Sequence, residues 1–108
     1  MTNEFEALFQ VVKHRQESPA EGSYTSYLFD QGIEKILKKV GEESSEVIIA
    51  AMKNHREEII AETSDLLYHL FVMLAERGIS FEEVTAEIEN RSHKVGNLKQ
   101  ERPDITDY

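Results

Sequence analysis

The chain contains only two prolines, Pro19 and Pro103, and they bracket most of its length. Proline breaks a helix interior because it lacks a backbone donor and its ring clashes with the preceding turn. Between these positions nothing of that kind interrupts a helix, and the apolar residues recur with helical period. Ile33, Ile36, Leu37, Val40, Ser44, Val47, Ile48 and Ala51 form one stripe, which predicts a helix over residues 30–53 that starts at Asp30. Gly32 and Gly41 fall inside it and weaken it by up to about 1 kcal/mol each relative to Ala. Asn54 with Glu57 predicts the start of a further helix, ending at Gly78, which suits the left-handed residue after a helix end. Ser80 with Glu83 opens another, to about residue 92. Ahead of Pro19, Phe5, Leu8, Phe9 and Val12 mark a helix over residues 3–16, opened by Asn3 and Glu6. Residues 17–29, with Ser18-Pro19 and Glu21-Gly22-Ser23, read as a turn-rich stretch too polar for a core helix. No strand pattern survives. The expected fold is an all-α antiparallel four-helix bundle, one domain over residues 1–95 with a loose tail at 96–108.

Composition narrows the function classes. A chain of 108 residues holds one compact domain. It carries 21 acidic against 12 basic residues, a net charge of -9, which argues against a surface that tracks nucleic acid or anionic lipid. The absence of cysteine excludes a disulfide framework, a zinc–thiolate site and a thiol nucleophile, and fits a reducing cytoplasm. The first residues show no basic flank and no long apolar run, and no stretch approaches about 18 apolar residues, so neither a signal peptide nor a membrane span is expected. Residues 47–52 and 70–75 are apolar on more than one helix face. A small bundle cannot cover both, which predicts a homo-oligomer, dimer or tetramer, formed through the two central helices.

Acidic residues three apart occur in four pairs. Glu101/Asp104 and Asp104/Asp107 lie in the polar tail. Glu43/Glu46 and Glu62/Asp65 sit instead within the most apolar segments. At about 100° per residue, Lys35, Lys39, Glu43, Glu46 and Ala50 share one stripe, and Glu58, Glu62, Asp65 and His69 share another. Antiparallel pairing of the two helices would bring the stripes together. Carboxylates gathered in a partly buried crevice resist ionisation unless a cation neutralises them, and a hard divalent ion with oxygen ligands, Mg²⁺ by default, does so. The competing reading is solvated acids paired with lysines along each helix. Lys35, Lys38 and Lys39, or Arg91, His93 and Lys94, could hold phosphate oxygens, or simply pair with neighbouring glutamates and favour a helix end. Tyr24 and Tyr27 precede the predicted second helix and either stack on a base or pack the loop down. His69 reads as a hydrogen-bonded interface histidine or a partner to a carboxylate.

Glu42-Glu43-x-x-Glu46, fifteen residues, then Glu62-x-x-Asp65 resembles the signature of the MazG-like all-α nucleotide pyrophosphohydrolases. Ser23-Tyr24-Thr25-Ser26-Tyr27-Leu28, the run from Lys35 to Glu43, and Asp65-Leu66-Leu67-Tyr68-His69-Leu70 are similar, within that superfamily, to the phosphoribosyl-ATP pyrophosphatases of histidine biosynthesis. Ser44 and Ser64 depart from the small apolar residues usual there. The resemblance implies Mg²⁺-dependent hydrolysis of phosphoribosyl-ATP to phosphoribosyl-AMP and pyrophosphate in the cytoplasm. It implies that Glu43, Glu46, Glu62 and Asp65 hold the metal, and that Glu42 is a further ligand or, like Glu43, serves catalysis by orienting the water. Lys35, Lys38 and Lys39 would hold outlying phosphates, and Ser23 and Tyr24 would meet the ribosyl or adenine part.

Rival readings share parts of this pattern. A house-cleaning nucleoside triphosphate pyrophosphohydrolase would use the same metal site. A carboxylate-bridged di-iron bundle wants Glu-x-x-His, and none of His14, His55, His69 or His93 has Glu three residues before it. A non-catalytic helical dimerisation module would need no metal.

Overall fold

The computed structural model describes residues 3–93. Among them it has five α-helices and no strand: α1 (Glu4–Glu17), α2 (Tyr24–Gln31), α3 (Ile33–Met52), α4 (Arg56–Glu76) and α5 (Phe81–Ser92). The all-α class is as expected. Lys94, Pro103 and the 96–108 tail lie outside the described residues. The chain divides after Gly78 into two compact units, the first holding α1 to α4 and the second α5.

The count of helices differs from the four expected because the turn-rich stretch is shorter than its composition suggests. Ser23 caps α2, its hydroxyl oxygen accepting from the Ser26 amide at 3.1 Å. Thr25 and Leu28 then fall on one buried face of that helix. The predicted helix from Asp30 is broken at Gly32, whose φ of 94° lies where residues with a Cβ are strained. Gly32 closes α2 by donating its amide to the Leu28 carbonyl and opens α3 by accepting from the Ile36 amide. It is a boundary, not a weak point inside one helix.

Asn3 caps α1 as expected, its side chain accepting from the amides of Phe5 and Glu6. Asn54 does not cap α4. It takes a left-handed φ of 55° in the turn after α3, a region Asn tolerates. His55 caps α4 instead, its Nδ1 accepting from the Glu58 amide at 3.2 Å. This short turn folds α4 back along α3, the most extensively packed pair of helices.

The core of the first unit draws on all four of its helices. Phe9 and Val12 of α1, Leu28 of α2, Ile36 and Ala50 of α3, and Phe71, Val72 and Ala75 of α4 are buried. Each large side chain so buried contributes about 1.5–3 kcal/mol. The Phe71 ring meets Phe9 edge-on at 5.9 Å, and the Gln16 side-chain amide donates to the Ala75 carbonyl at 3.1 Å, tying α1 to the end of α4.

The apolar run at 70–75 is thus largely absorbed by the chain itself, with Val72 fully buried. On α3 the expectation of uncovered apolar surface stands, with Ile48, Ile49 and Met52 exposed, Met52 at 82%; Ile60 near the start of α4, outside the two runs, is exposed as well.

In the second unit Ser80 and Glu83 form the expected capping box around the start of α5. No described helix is long and apolar enough to cross a membrane.

Candidate active site

The hairpin of α3 and α4 sets two acidic motifs against each other. Glu43, Glu62 and Asp65 each place a carboxylate oxygen within 4.8 Å of the others. Glu43 is buried, Glu62 is half-buried and Asp65 is exposed, so the cluster runs from the helix interface to solvent. Glu46, one turn after Glu43 on α3, lies close enough to Glu43 and Glu62 for its charge to act on both. Glu46 and Glu62 also line a groove of about 260 Å³, together with Ile49, Ala50, Lys53 and Glu58. Ser44 and Ser64, the departures noted above, each donate their hydroxyl to the carbonyl four residues back, Val40 and Ile60. Both hydroxyls are satisfied within their own helix and so are not spent on the acids.

Among the described residues, Lys39 serves this group. The Lys39 ammonium lies 3.3 Å from Glu42 and 3.6 Å from Glu43 Oε1. The second oxygens of Glu43 and Glu62 are buried with no hydrogen-bond donor. Burial, then contact with Glu46 and the charge of Asp65, pushes the Glu43 carboxyl up to about 7. Burial, then the charge of Glu46, also raises Glu62. Such a cluster must hold a proton or a cation. Orphaned carboxylate oxygens, with no nitrogen or sulfur donor among the converging groups, match a hard oxygen-seeking ion such as Mg²⁺.

The other candidates spread around the cluster. Glu42 is half exposed and held by Lys39. Lys35 lies 6.0 Å over the Tyr27 ring. Lys38 is exposed and about 100° round α3 from Lys39. Arg91 pairs with Glu87 at 3.7 Å within α5, and His93 caps that helix. Tyr24, at the start of α2, is close enough to the acids to feel their charge. Burial raises its phenol, Lys39 opposes this, and Glu43 and Asp65 add to it.

Two partnerships escaped the sequence reading. Thr25 and Tyr68 hydrogen-bond through their hydroxyls, and Tyr24 Oη lies 3.1 Å from His69 Nε2. His69 Nδ1 is in turn 2.8 Å from the Asp65 carbonyl oxygen. A histidine one turn after a candidate ligand is a visible signal. Its partner 45 residues away is not.

An all-α chain that converges acids from two paired helices has the make-up of the MazG-like nucleotide pyrophosphohydrolase class. The model of the phosphoribosyl-ATP pyrophosphohydrolase family matches residues 5–92, and the chain belongs to that family. It is 48% identical over 103 residues to the phosphoribosyl-ATP pyrophosphatase of Clostridium botulinum strain Hall, covering 95% of this chain and 94% of that one. A protein of the same name from Listeria monocytogenes serotype 4b strain CLIP80459 is 53% identical over 100 residues, covering 93% and 95%. Another, from Lactiplantibacillus plantarum, is 50% identical over 100 residues, covering 93% of each chain.

Proposed function

We propose that this chain hydrolyses phosphoribosyl-ATP to phosphoribosyl-AMP and pyrophosphate, the second step of histidine biosynthesis. The observation that carries the reading is the convergence of Glu43, Glu62 and Asp65, with buried carboxylate oxygens left without donors, in a chain of this family. Water adds across the anhydride between the α and β phosphates, and pyrophosphate leaves. Glu43, Glu46, Glu62 and Asp65 hold Mg²⁺. When bound, the ion supplies neutralisation of the triphosphate charge. Glu43 is committed to the cluster, so Glu42, held beside it by Lys39, orients the water. Lys35, Lys38 and Lys39 hold outlying phosphate oxygens. Ser23 and Tyr24, at the start of α2, meet the ribosyl or adenine part.

The family match spans both compact units, which supports reading residues 1–95 as one functional domain. The exposed Ile48, Ile49, Met52 and Ile60 support a homo-oligomer in which a second copy covers them. The absence of cysteine supports a cytoplasmic location.

The test is turnover of phosphoribosyl-ATP against a panel of canonical nucleoside triphosphates, with Mg²⁺ and with a chelator. The expected result is a preference for phosphoribosyl-ATP of at least about a hundredfold in kcat/KM, lost on chelation. Equal turnover of the panel would assign the chain to nucleotide house-cleaning.

A further inference from the structure

His69 is buried, yet it has no place among the converging carboxylates. Both of its ring nitrogens are engaged, and their partners fix its hydrogen-bonding sense. A backbone carbonyl only accepts, so Nδ1, 2.8 Å from the Asp65 oxygen, carries a proton. In the neutral imidazole Nε2 then bears the lone pair. The Tyr24 hydroxyl, 3.1 Å away, must donate to it. That leaves Tyr24 Oη with lone pairs only.

Phosphate oxygens are acceptors and gain nothing from such a group. A sugar hydroxyl or a base amino group does. Tyr24 is 46% exposed, and Lys39, Glu43 and Asp65 are close enough for their charges to act on its phenol. Its ring stacks on those of Tyr27 and Tyr68, each with its centroid at 6.1 Å. The Thr25–Tyr68 bond secures α2 to α4 beside it.

We propose that His69 is a positioning residue that holds the Tyr24 hydroxyl as an acceptor, so that Tyr24 takes a hydrogen bond from an O–H or N–H of the nucleoside part and gives none to phosphate. This deepens the function proposed above and rests on its placing of Tyr24 on the substrate side.

The experiment is a double-mutant cycle at pH 8, read by calorimetric binding of phosphoribosyl-AMP in Mg²⁺. Tyr24→Phe and His69→Asn should each weaken binding by about tenfold. Asn can still donate to the Asp65 carbonyl but does not reach Tyr24. The double variant should bind no worse than either single one; a product near a hundredfold overturns the coupling. His69→Gln, whose carbonyl replaces the Nε2 acceptor, should recover binding to within about threefold of wild type. No recovery in a variant that melts like wild type also overturns it. Magnesium tripolyphosphate, which has no nucleoside, should bind wild type and Tyr24→Phe alike, and an equal loss for both ligands sinks the proposal. AMP as a third ligand shows whether the donor belongs to the adenosine or to the added phosphoribosyl group. In turnover, the single variants should raise KM while kcat stays within about threefold. The His69 tautomer is read directly by ¹⁵N spectroscopy, and a proton on Nε2 overturns the proposal. Neither the spectroscopy nor the calorimetry needs catalysis, so a wild type inactive on phosphoribosyl-ATP would fail the proposed function without deciding the fate of this one.

Discussion

Glu43 carries the sharpest electrostatic consequence of the site. Its carboxyl, pushed by burial from 4.5 to about 7, binds a proton more tightly in the folded chain than in the unfolded one. The stability this supplies is complete below about 4.5 and is lost as pH rises through about 7. In metal-free protein the urea midpoint should therefore fall between pH 5 and pH 8. Glu43→Gln, neutral throughout, should flatten that fall and stand roughly 1–3 kcal/mol above wild type at pH 8. A fall of equal size in the variant would mean that other groups cause it. Glu62→Gln and Asp65→Asn should keep the helical circular dichroism of wild type and lose at least about a hundredfold in kcat at saturating Mg²⁺. Near wild-type turnover from either would remove that residue from the ligand set. At this scale the sequence is a good guide to the acids, because helical period alone puts Glu43 and Glu46 on one face and Glu62 and Asp65 on another. It is silent on Tyr24 with His69 and Thr25 with Tyr68. Those pairs depend on how α2 docks, and no spacing within one helix encodes that.

Glycines separate elements here in a way that composition alone obscures. Gly32 and Gly41 look alike as interruptions of one long apolar stripe, but only Gly32 has a positive φ. Gly32→Ala should destabilise the chain by about 1–2 kcal/mol, because the left-handed region is strained for any residue with a Cβ. Gly41 sits inside α3, and a Cβ added there meets nothing within 4 Å. Gly41→Ala should then stabilise by roughly 0.5–1 kcal/mol through helix propensity. Thermal melts of the two variants check both signs. The capping pairs at Asn3 and at Ser80 with Glu83 were legible because their geometry is local. The pair at Asn54 misled, since Asn serves equally well as a left-handed residue after a helix, and His55 took the cap. Helix α2 is hidden by the turn signals of Ser18-Pro19 and Glu21-Gly22-Ser23 just ahead of it, and its buried Thr25 finds its partner, the Tyr68 hydroxyl, only in the folded chain.

At the scale of the whole molecule, burial sorts the two apolar runs. The sequence shows that both are too apolar for solvent, but not which cover each receives. Val72 is fully buried in the chain's own core, whereas Ile49 is exposed. Val72→Asp should cost several kcal/mol, on the order of 3–5, and abolish the cooperative melt. Ile49→Lys should leave the helical signal intact and shift the sedimentation profile toward monomer. A wild type already monomeric at micromolar concentration would show instead that α3 is content with water on that face.

Glu43, Glu46, Glu62 and Asp65 all come from one helical hairpin, α3 and α4, closed by a short turn. Contacts this local form early, since closing a small loop costs little entropy. The repulsion among the acids is therefore met on the way to the native state as well as within it. Millimolar Mg²⁺ should accordingly speed refolding in a stopped-flow experiment at pH 8, while leaving refolding at pH 5, where protons already serve, nearly unchanged. A cation recruited for chemistry would then also help to assemble the hairpin that holds it.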